Sequence, residues 1–265
     1  ALSLRVRKAL LDEEEKPYTV WSQAPSAPLR ANLDLLLYRA RVLRQKRDFA
    51  GARETLRRCT QLDASDGRAW LALSKLEEKS GRLRPAEEAL MEGIRQCPSN
   101  AYLLQAMGAW HERRGKLDEA LVAYGTALRA EPTHAPTWVA AGLLLQKRQQ
   151  PAAAWRCLEL ARTVAPRDHF VWQVVGQWHS RLGELSSARE AFRRALELNA
   201  RNVATLHAWG VLEWRCGNLE LAARLFDKAL AIQPRNQYVL QSWSCMAGRA
   251  GADRNATALF TRAVH

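Results

Sequence analysis

No stretch of this sequence stays apolar long enough to cross a bilayer, so no helical membrane span is expected. Cysteine is scarce and odd in number. Cys59, Cys97, Cys157, Cys216 and Cys245 include no pair at CxxC spacing. This argues against a disulfide framework or a zinc site and for reduced, mostly buried small residues. HExxH, GxGxxG and GxxxxGK are all absent. The usual metallohydrolase, dinucleotide and phosphate-cradling motifs are therefore missing, and neither a cofactor nor an enzymatic activity is expected. No signal peptide is expected within it, and because Ala1 is not a natural start the chain is expected to be a fragment, which leaves room for an upstream targeting segment. Acidic charge is in deficit: 27 Asp and Glu face 40 Lys and Arg, a net charge of +13. Such an excess favours a polyanionic partner, whether nucleic acid, anionic membrane or acidic protein.

What the chain does have is a ruler of 34 residues. Steps of that length from Leu36 land on Trp70, Leu104, Trp138, Trp172, Leu206 and Leu240, all large and apolar. With these as position 4, seven repeats begin at Leu33: 33–66, 67–100, 101–134, 135–168, 169–202, 203–236 and 237–265. Residues 1–32 stand apart as a short N-terminal helix, Leu2 to Lys16, and an irregular connection. Position 20 is alanine in all seven repeats, from Ala52 to Ala256, and position 8 is always small: Ala40, Ser74, Gly108, Gly142, Gly176, Gly210 and Ser244.

The pattern is that of a helix–turn–helix unit. Large residues at positions 4, 7, 10 and 24 fill the space between two antiparallel helices, A and B. Small residues at 8, 20 and 27 let the backbones approach, and packing offsets the ~1 kcal/mol of helix propensity lost at each glycine. Gly81, Gly115, Gly183, Gly217 and Gly251, at position 15, are suited to the left-handed turn that ends helix A. Repeat one is the weakest, with Arg39 and Arg47 where a large apolar residue and a glycine are expected. The expected fold is an all-α, right-handed superhelical solenoid.

Helix A positions 2, 5, 9, 12 and 13 are expected to line the concave face. Position 13 is a cation in six successive repeats: Lys79, Arg113, Lys147, Arg181, Arg215 and Arg249. Two readings are open. A cation in the last helical turn gains about 0.3–1 kcal/mol from the helix dipole alone. A row of them also suits a chain of phosphates. Three repeats add an aromatic at position 2 and a glutamine at position 5: Tyr102 with Gln105, Phe170 with Gln173, Tyr238 with Gln241. A ring stacks a base and an amide reads its edge, although position 2 rings can equally pack on the next repeat. His207 and Trp214 complete the base-contacting set, with Trp214 equally able to cover the next helix. His111 and His179 share position 11 with Glu77 and Glu213 and are expected at the contact between helices A and B.

This 34-residue pattern resembles the tetratricopeptide repeat (TPR) and its half-a-TPR (HAT) relative over Leu33 to His265. The run "LHAWGVLEWRCGNLELAARLFDKALAIQPRN" is similar to the chloroplast HAT-repeat proteins that stabilise and process psbB–psbH messenger RNA. Glu213 matches that family's acidic residue in helix A. The resemblance implies a single-stranded RNA-binding solenoid of the chloroplast stroma. It would bind near a transcript's 5′ end, block exonuclease and favour translation, alongside other proteins of an RNA-maturation complex. The alternative is a protein-interaction scaffold for an acidic peptide or partner. Position 6, with Ala72, Ala106, Ala140 and Ala208, lacks the residues of the chaperone-tail carboxylate clamp. The open end of the array is expected on the N-terminal side, where Leu10 and Leu11 fit a helix that has lost its partner. Repeat seven is expected at or near the C-terminal end.

Overall fold

The computed structural model describes residues 29–249. The expected helix Leu2 to Lys16, with Leu10 and Leu11, and the second helix of repeat seven lie outside those residues. Thirteen α-helices make up the described chain, with no strand among the described residues. The odd-numbered ones are the A helices: α1 (Leu29–Gln45), α3 (Gly67–Lys79), α5 (Ala101–Arg113), α7 (Ala135–Lys147), α9 (His169–Leu182), α11 (Val203–Arg215) and α13 (Gln237–Arg249). The even-numbered ones are the B helices: α2 (Phe49–Leu62), α4 (Leu83–Gln96), α6 (Leu117–Ala130), α8 (Pro151–Val164), α10 (Leu185–Leu198) and α12 (Leu219–Ile232). The first helix starts four residues before Leu33, because Leu29, Arg30 and Ala31 are good helix formers. No helix of the described residues is long and apolar enough to cross a membrane.

Five A helices start on a side-chain cap at position 34 of the preceding repeat. The carboxylates of Asp66 and Asp168 accept from the backbone N–H of Arg68 and Phe170; the amide oxygens of Asn100, Asn202 and Asn236 accept from those of Leu103, Thr205 and Val239. Satisfying one of the orphan N–H groups of a first turn stabilises a helix by about 1 kcal/mol. His134 occupies the same place ahead of α7 without capping it, and there a proline, Pro136, sits in the first turn. At the other end Gly81, Gly115, Gly183 and Gly217 have φ between 75° and 81°. In repeats one and four Arg47 and Gln149 adopt the same left-handed turn, at φ 65° and 58°, in spite of their side chains.

Among the described residues the helices form two compact units, one up to residue 98 and the other from residue 99 on. In the first, α1 to α4 enclose Ala40, Ala52, Leu56, Leu73, Leu76 and Ala89. In the second, each even helix packs between the odd helices that flank it in the chain, and each odd helix also touches the next odd one.

Within a repeat, position 8 of helix A meets position 24 of helix B. Among the described residues an aromatic at 24 always faces glycine; Gly142, opposite Leu158, is the one glycine that faces a leucine. A Cβ on Gly108 would stand 2.4 Å from Tyr124, and on Gly176 or Gly210 2.6 Å from Phe192 or Phe226. Where position 24 is the smaller leucine, Leu56 or Leu90, position 8 has room to be Ala40 or Ser74. Position 20 is fully buried throughout, at Ala52, Ala86, Ala120, Ala154, Ala188 and Ala222. Position 3 joins the core too, with Ala69, Leu103, Thr137, Val171, Thr205 and Val239 buried. Trp70, Trp138 and Trp172 each donate the indole N–H to the carbonyl of residue 32 of the preceding repeat, at 2.9, 2.8 and 2.8 Å. That bond ties consecutive repeats while leaving the ring half-buried.

All five cysteines are free. Only Cys59 is fully buried, and burial pushes its thiol up to about 11. Cys245 is exposed and the other three are half-buried, so the expectation of mostly buried thiols holds only in part.

Candidate functional site

In residues 99–249 the odd helices α5, α7, α9, α11 and α13 lie side by side. Positions 2, 6, 9 and 13 fall on one stripe of each helix, so five stripes make one face. Its position-13 edge is basic: Arg113, Lys147, Arg181 and Arg215 are all exposed. Between the two edges the surface of α5, α7 and α11 is aliphatic, with half-buried Ala106, Ala140, Leu143, Ala208 and Val211, while α9 and α13 place Gln177, Ser242 and Cys245 there. The one acid among positions 2, 5, 6, 9, 12 and 13 of these helices is Glu112, at position 12. The opposite edge, at position 2, carries Tyr102, Phe170 and Tyr238, exposed by 56, 43 and 74%. Tyr102 rests edge-on against His134 with ring centroids 4.3 Å apart. Lys79 is exposed in the first unit, and the side chain of Arg249 lies outside the described residues.

The exposed cations are not all idle. Glu112 accepts hydrogen bonds from the ammonium of Lys147 and, at 3.1 Å, from the hydroxyl of Tyr124. Arg181 donates to Gln146 Oε1 at 2.5 Å. In both pairs a position-13 cation reaches position 12 of the preceding repeat, a link that neither the helix dipole nor a phosphate ligand had suggested.

Three of the expected base-contacting residues are committed elsewhere. Gln173 is buried, and its amide oxygen accepts from Asn202 Nδ2 at 3.2 Å and Thr205 Oγ1 at 3.3 Å, so it has no edge left for a base. His207 is half-buried, with Nε2 2.7 Å from Ser242 Oγ; burial lowers its basicity. It bridges repeats six and seven through that contact. Trp214 is half-buried against the core formed by Leu206, Phe226, Leu240 and Met246, and so covers the next helix. Gln105 is half-buried and Gln241 exposed. At the same position Val139 shares the burial of Gln173.

Of the position-11 histidines, His179 meets residues of the neighbouring turn and of helix B of the preceding repeat. His179 Nδ1 lies 2.6 Å from Glu184 Oε2, and its ring meets Trp155 edge-on at 5.0 Å. The acids that share position 11 do more than the sequence suggested. Buried Glu213 accepts from Arg189 Nε and Nη2 at 2.7 and 2.8 Å, Trp209 Nε1 at 2.9 Å and Asn218 Nδ2 at 2.6 Å. These donors, led by the guanidinium, hold its carboxyl down at about 2. Glu77 makes the same clasp with Arg53, at 2.5 and 3.2 Å. Both arginines occupy position 21, so each clasp joins helix B of one repeat to helix A of the next. The readable signal was an Arg and a Glu 24 residues apart, twice. Among the described residues no group of three or more His, Cys, Asp or Glu side chains is placed to hold a metal ion.

Two family models described as tetratricopeptide repeat match residues 33–76 and 176–236. Among curated proteins, the chain is 30% identical over 112 residues to the protein named high chlorophyll fluorescent 107 of Arabidopsis thaliana, covering 42% of this chain and 17% of that one. It is 31% identical over 122 residues to the chloroplastic PsbB mRNA maturation factor of Chlamydomonas reinhardtii, covering 42% and 18%. It is also 30% identical over 135 residues to tetratricopeptide repeat protein 7B of Homo sapiens, covering 51% and 16%. The matches thus span less than a fifth of the length of these relatives. Among solved structures, a tetratricopeptide repeat protein from Parabacteroides merdae superposes with a TM-score of 0.65 at 15% identity, over 87% of this chain and 91% of that one. Paired helices on a 34-residue step, the family models and the shared fold make this chain a TPR/HAT-type α-solenoid repeat protein.

Proposed function

We propose that the chain is a non-enzymatic scaffold, and that the odd-helix face of residues 99–249 holds an acidic, partly apolar segment of a partner protein. The observation that carries this reading is the composition of the face: four exposed cations along one edge, an aliphatic floor beside them and a single acid. A segment alternating carboxylates with apolar side chains matches both parts, burying methyl groups on Ala140, Leu143, Ala208 and Val211 while its acids meet the cations. Single-stranded RNA wants aromatic surface next to the charge. Here the exposed rings stand at position 2, eleven residues from the cations, which is about 16 Å along a helix axis. One nucleotide cannot use both edges.

RNA is the second reading, favoured by those exposed rings, Tyr102, Phe170 and Tyr238, and by the printed name of the Chlamydomonas relative. Binding a transcript in the chloroplast stroma, with Gln105, Gln241 and the three rings meeting the bases, belongs to that reading. Fluorescence anisotropy separates the two. The probes are a labelled peptide of alternating Glu and Leu, its Gln-for-Glu counterpart, and single-stranded and duplex ribo-oligonucleotides of mixed sequence. The scaffold reading expects the acidic peptide to bind at least about tenfold more tightly than either the Gln peptide or the single strand. A single strand that outcompetes the acidic peptide and also outbinds duplex would replace it with the RNA reading.

A further inference from the structure

Three cations of the basic edge, Lys147, Arg181 and Arg215, are not equally available, and the reason is the side chain at position 12 of the preceding repeat. Glu112 holds Lys147 in an ion pair, with the glutamate side chain only 19% exposed and the lysine side chain 62%. Gln146 holds Arg181 through a neutral amide. The corresponding residue before Arg215 is Ser180, too short and uncharged to reach it, and the exposed side chain of Arg215 makes no hydrogen bond or ion pair among the described residues. Carboxylate, amide and hydroxyl thus form a graded series on one face.

We propose that position 12 sets how much of each cation is left for a partner, so that Arg215 is the anchor for an acidic segment and Glu112 is a built-in competitor at Lys147. This rests on the scaffold reading above and assigns unequal roles within its site. A carboxylate arriving at Lys147 must displace one already there, and that exchange of like for like yields little. At Arg181 it displaces a neutral acceptor, and a charge-assisted bond replaces a weaker one. At Arg215 it displaces only water. Beside Arg215, half-buried Val211 and Trp214 offer apolar contact to the neighbouring side chains of the same segment. A second contact holds Glu112 in place: its other oxygen receives the hydroxyl of buried Tyr124.

The test is a charge-removal series on the full chain, read by anisotropy with the Glu–Leu peptide. Arg215→Gln should weaken binding about tenfold, Arg181→Gln less, and Lys147→Gln by under about twofold. Glu112→Gln should strengthen binding by about threefold to fivefold, because the amide still accepts from Tyr124 while freeing Lys147. In that background Lys147→Gln should become costly. Competitive acetylation gives a readout that needs no partner: Lys147 should react faster in Glu112→Gln, while Lys79 and Lys116 stay unchanged. If the wild type binds the peptide but Arg215→Gln and Lys147→Gln weaken it equally, or Glu112→Gln leaves affinity and Lys147 acetylation unchanged, the graded edge is overturned and the scaffold reading stands. If the wild type does not bind the peptide at all, the scaffold reading falls and takes the graded edge with it.

Discussion

Replacing Glu213 with alanine is expected to destabilise residues 99–249 by about 3 kcal/mol, the low end of what breaking a buried ion pair costs. Four donors converge on this one carboxylate, which is fully buried. Truncation leaves Trp209 and Asn218 without their acceptor. Arg189 recovers part of the loss, because its side chain is 40% exposed and can turn to water. Glu213→Gln keeps the shape but loses the charge and one acceptor, so it should fall between alanine and wild type. Urea unfolding followed by circular dichroism measures all three proteins. A loss under about 1 kcal/mol for alanine would mean that the clasp is no stronger than a surface pair.

The same carboxylate sets a pH dependence. Its folded value of about 2 lies below the ordinary 4.5, so the folded state holds this proton more weakly than the unfolded one. The stabilisation, about 3 kcal/mol at 1.36 kcal/mol per unit, is fully present above about pH 4.5 and is lost as the pH falls toward 2. Glu213→Gln should flatten the stability curve in that window and leave it unchanged near neutrality apart from a constant offset.

Gly210→Ala is the second large effect, and its sign runs against helix propensity. Alanine should gain about 1 kcal/mol as a better helix former. Yet the new Cβ would lie 2.6 Å from Phe226 Cε1, 2.9 Å from Cδ1 and 3.1 Å from Cζ, on a ring that is fully buried. Overpacking of this kind costs about 1–3 kcal/mol or more, so the net expectation is a loss of about 1–2 kcal/mol. Repeat one shows the cure, since Ala40 there faces Leu56. Phe226→Leu alone should also destabilise, by leaving a void. The double variant should be more stable than the two single losses predict, with a coupling of about 1–2 kcal/mol in thermal or urea unfolding. Simple additivity would show that positions 8 and 24 do not pack against each other as described.

That pairing also shows which features were legible from sequence. Positions 8, 15, 20 and 24 answer to constraints inside one helical hairpin, and those constraints recur every 34 residues. Repetition therefore exposes them: a gap opposite a ring, a left-handed turn, an alanine at the closest approach. Even the exceptions obey, with Arg47 and Gln149 taking the glycine conformation because the hairpin demands it. The position-34 caps, Asp66, Asn100, Asp168, Asn202 and Asn236, belong to the same class and could have been read the same way.

The site was harder because its constraints run between repeats, whose side chains are not repeated. Gln173 looked like Gln105 and Gln241 on the ruler, but Asn202 and Thr205 of the next repeat engage its oxygen and bury it. His207 is bound by Ser242 for the same reason. The exposure of the position-13 cations followed from their place in the last helical turn. Their differences did not, because these lie in Glu112, Gln146 and Ser180, three unlike residues at one position of the preceding repeats.

The central claim is a location: an acidic segment along the odd helices of residues 99–249. Photo-crosslinking tests it most directly, with a benzophenone placed in turn at each leucine of the Glu–Leu peptide and the adducts mapped by mass spectrometry. The account predicts adducts on the aliphatic floor, around Ala140 and Leu143 of α7 and Ala208 and Val211 of α11, that disappear in the Arg181→Gln, Arg215→Gln double variant. Adducts confined to the even helices, or unchanged by loss of both arginines, would contradict it.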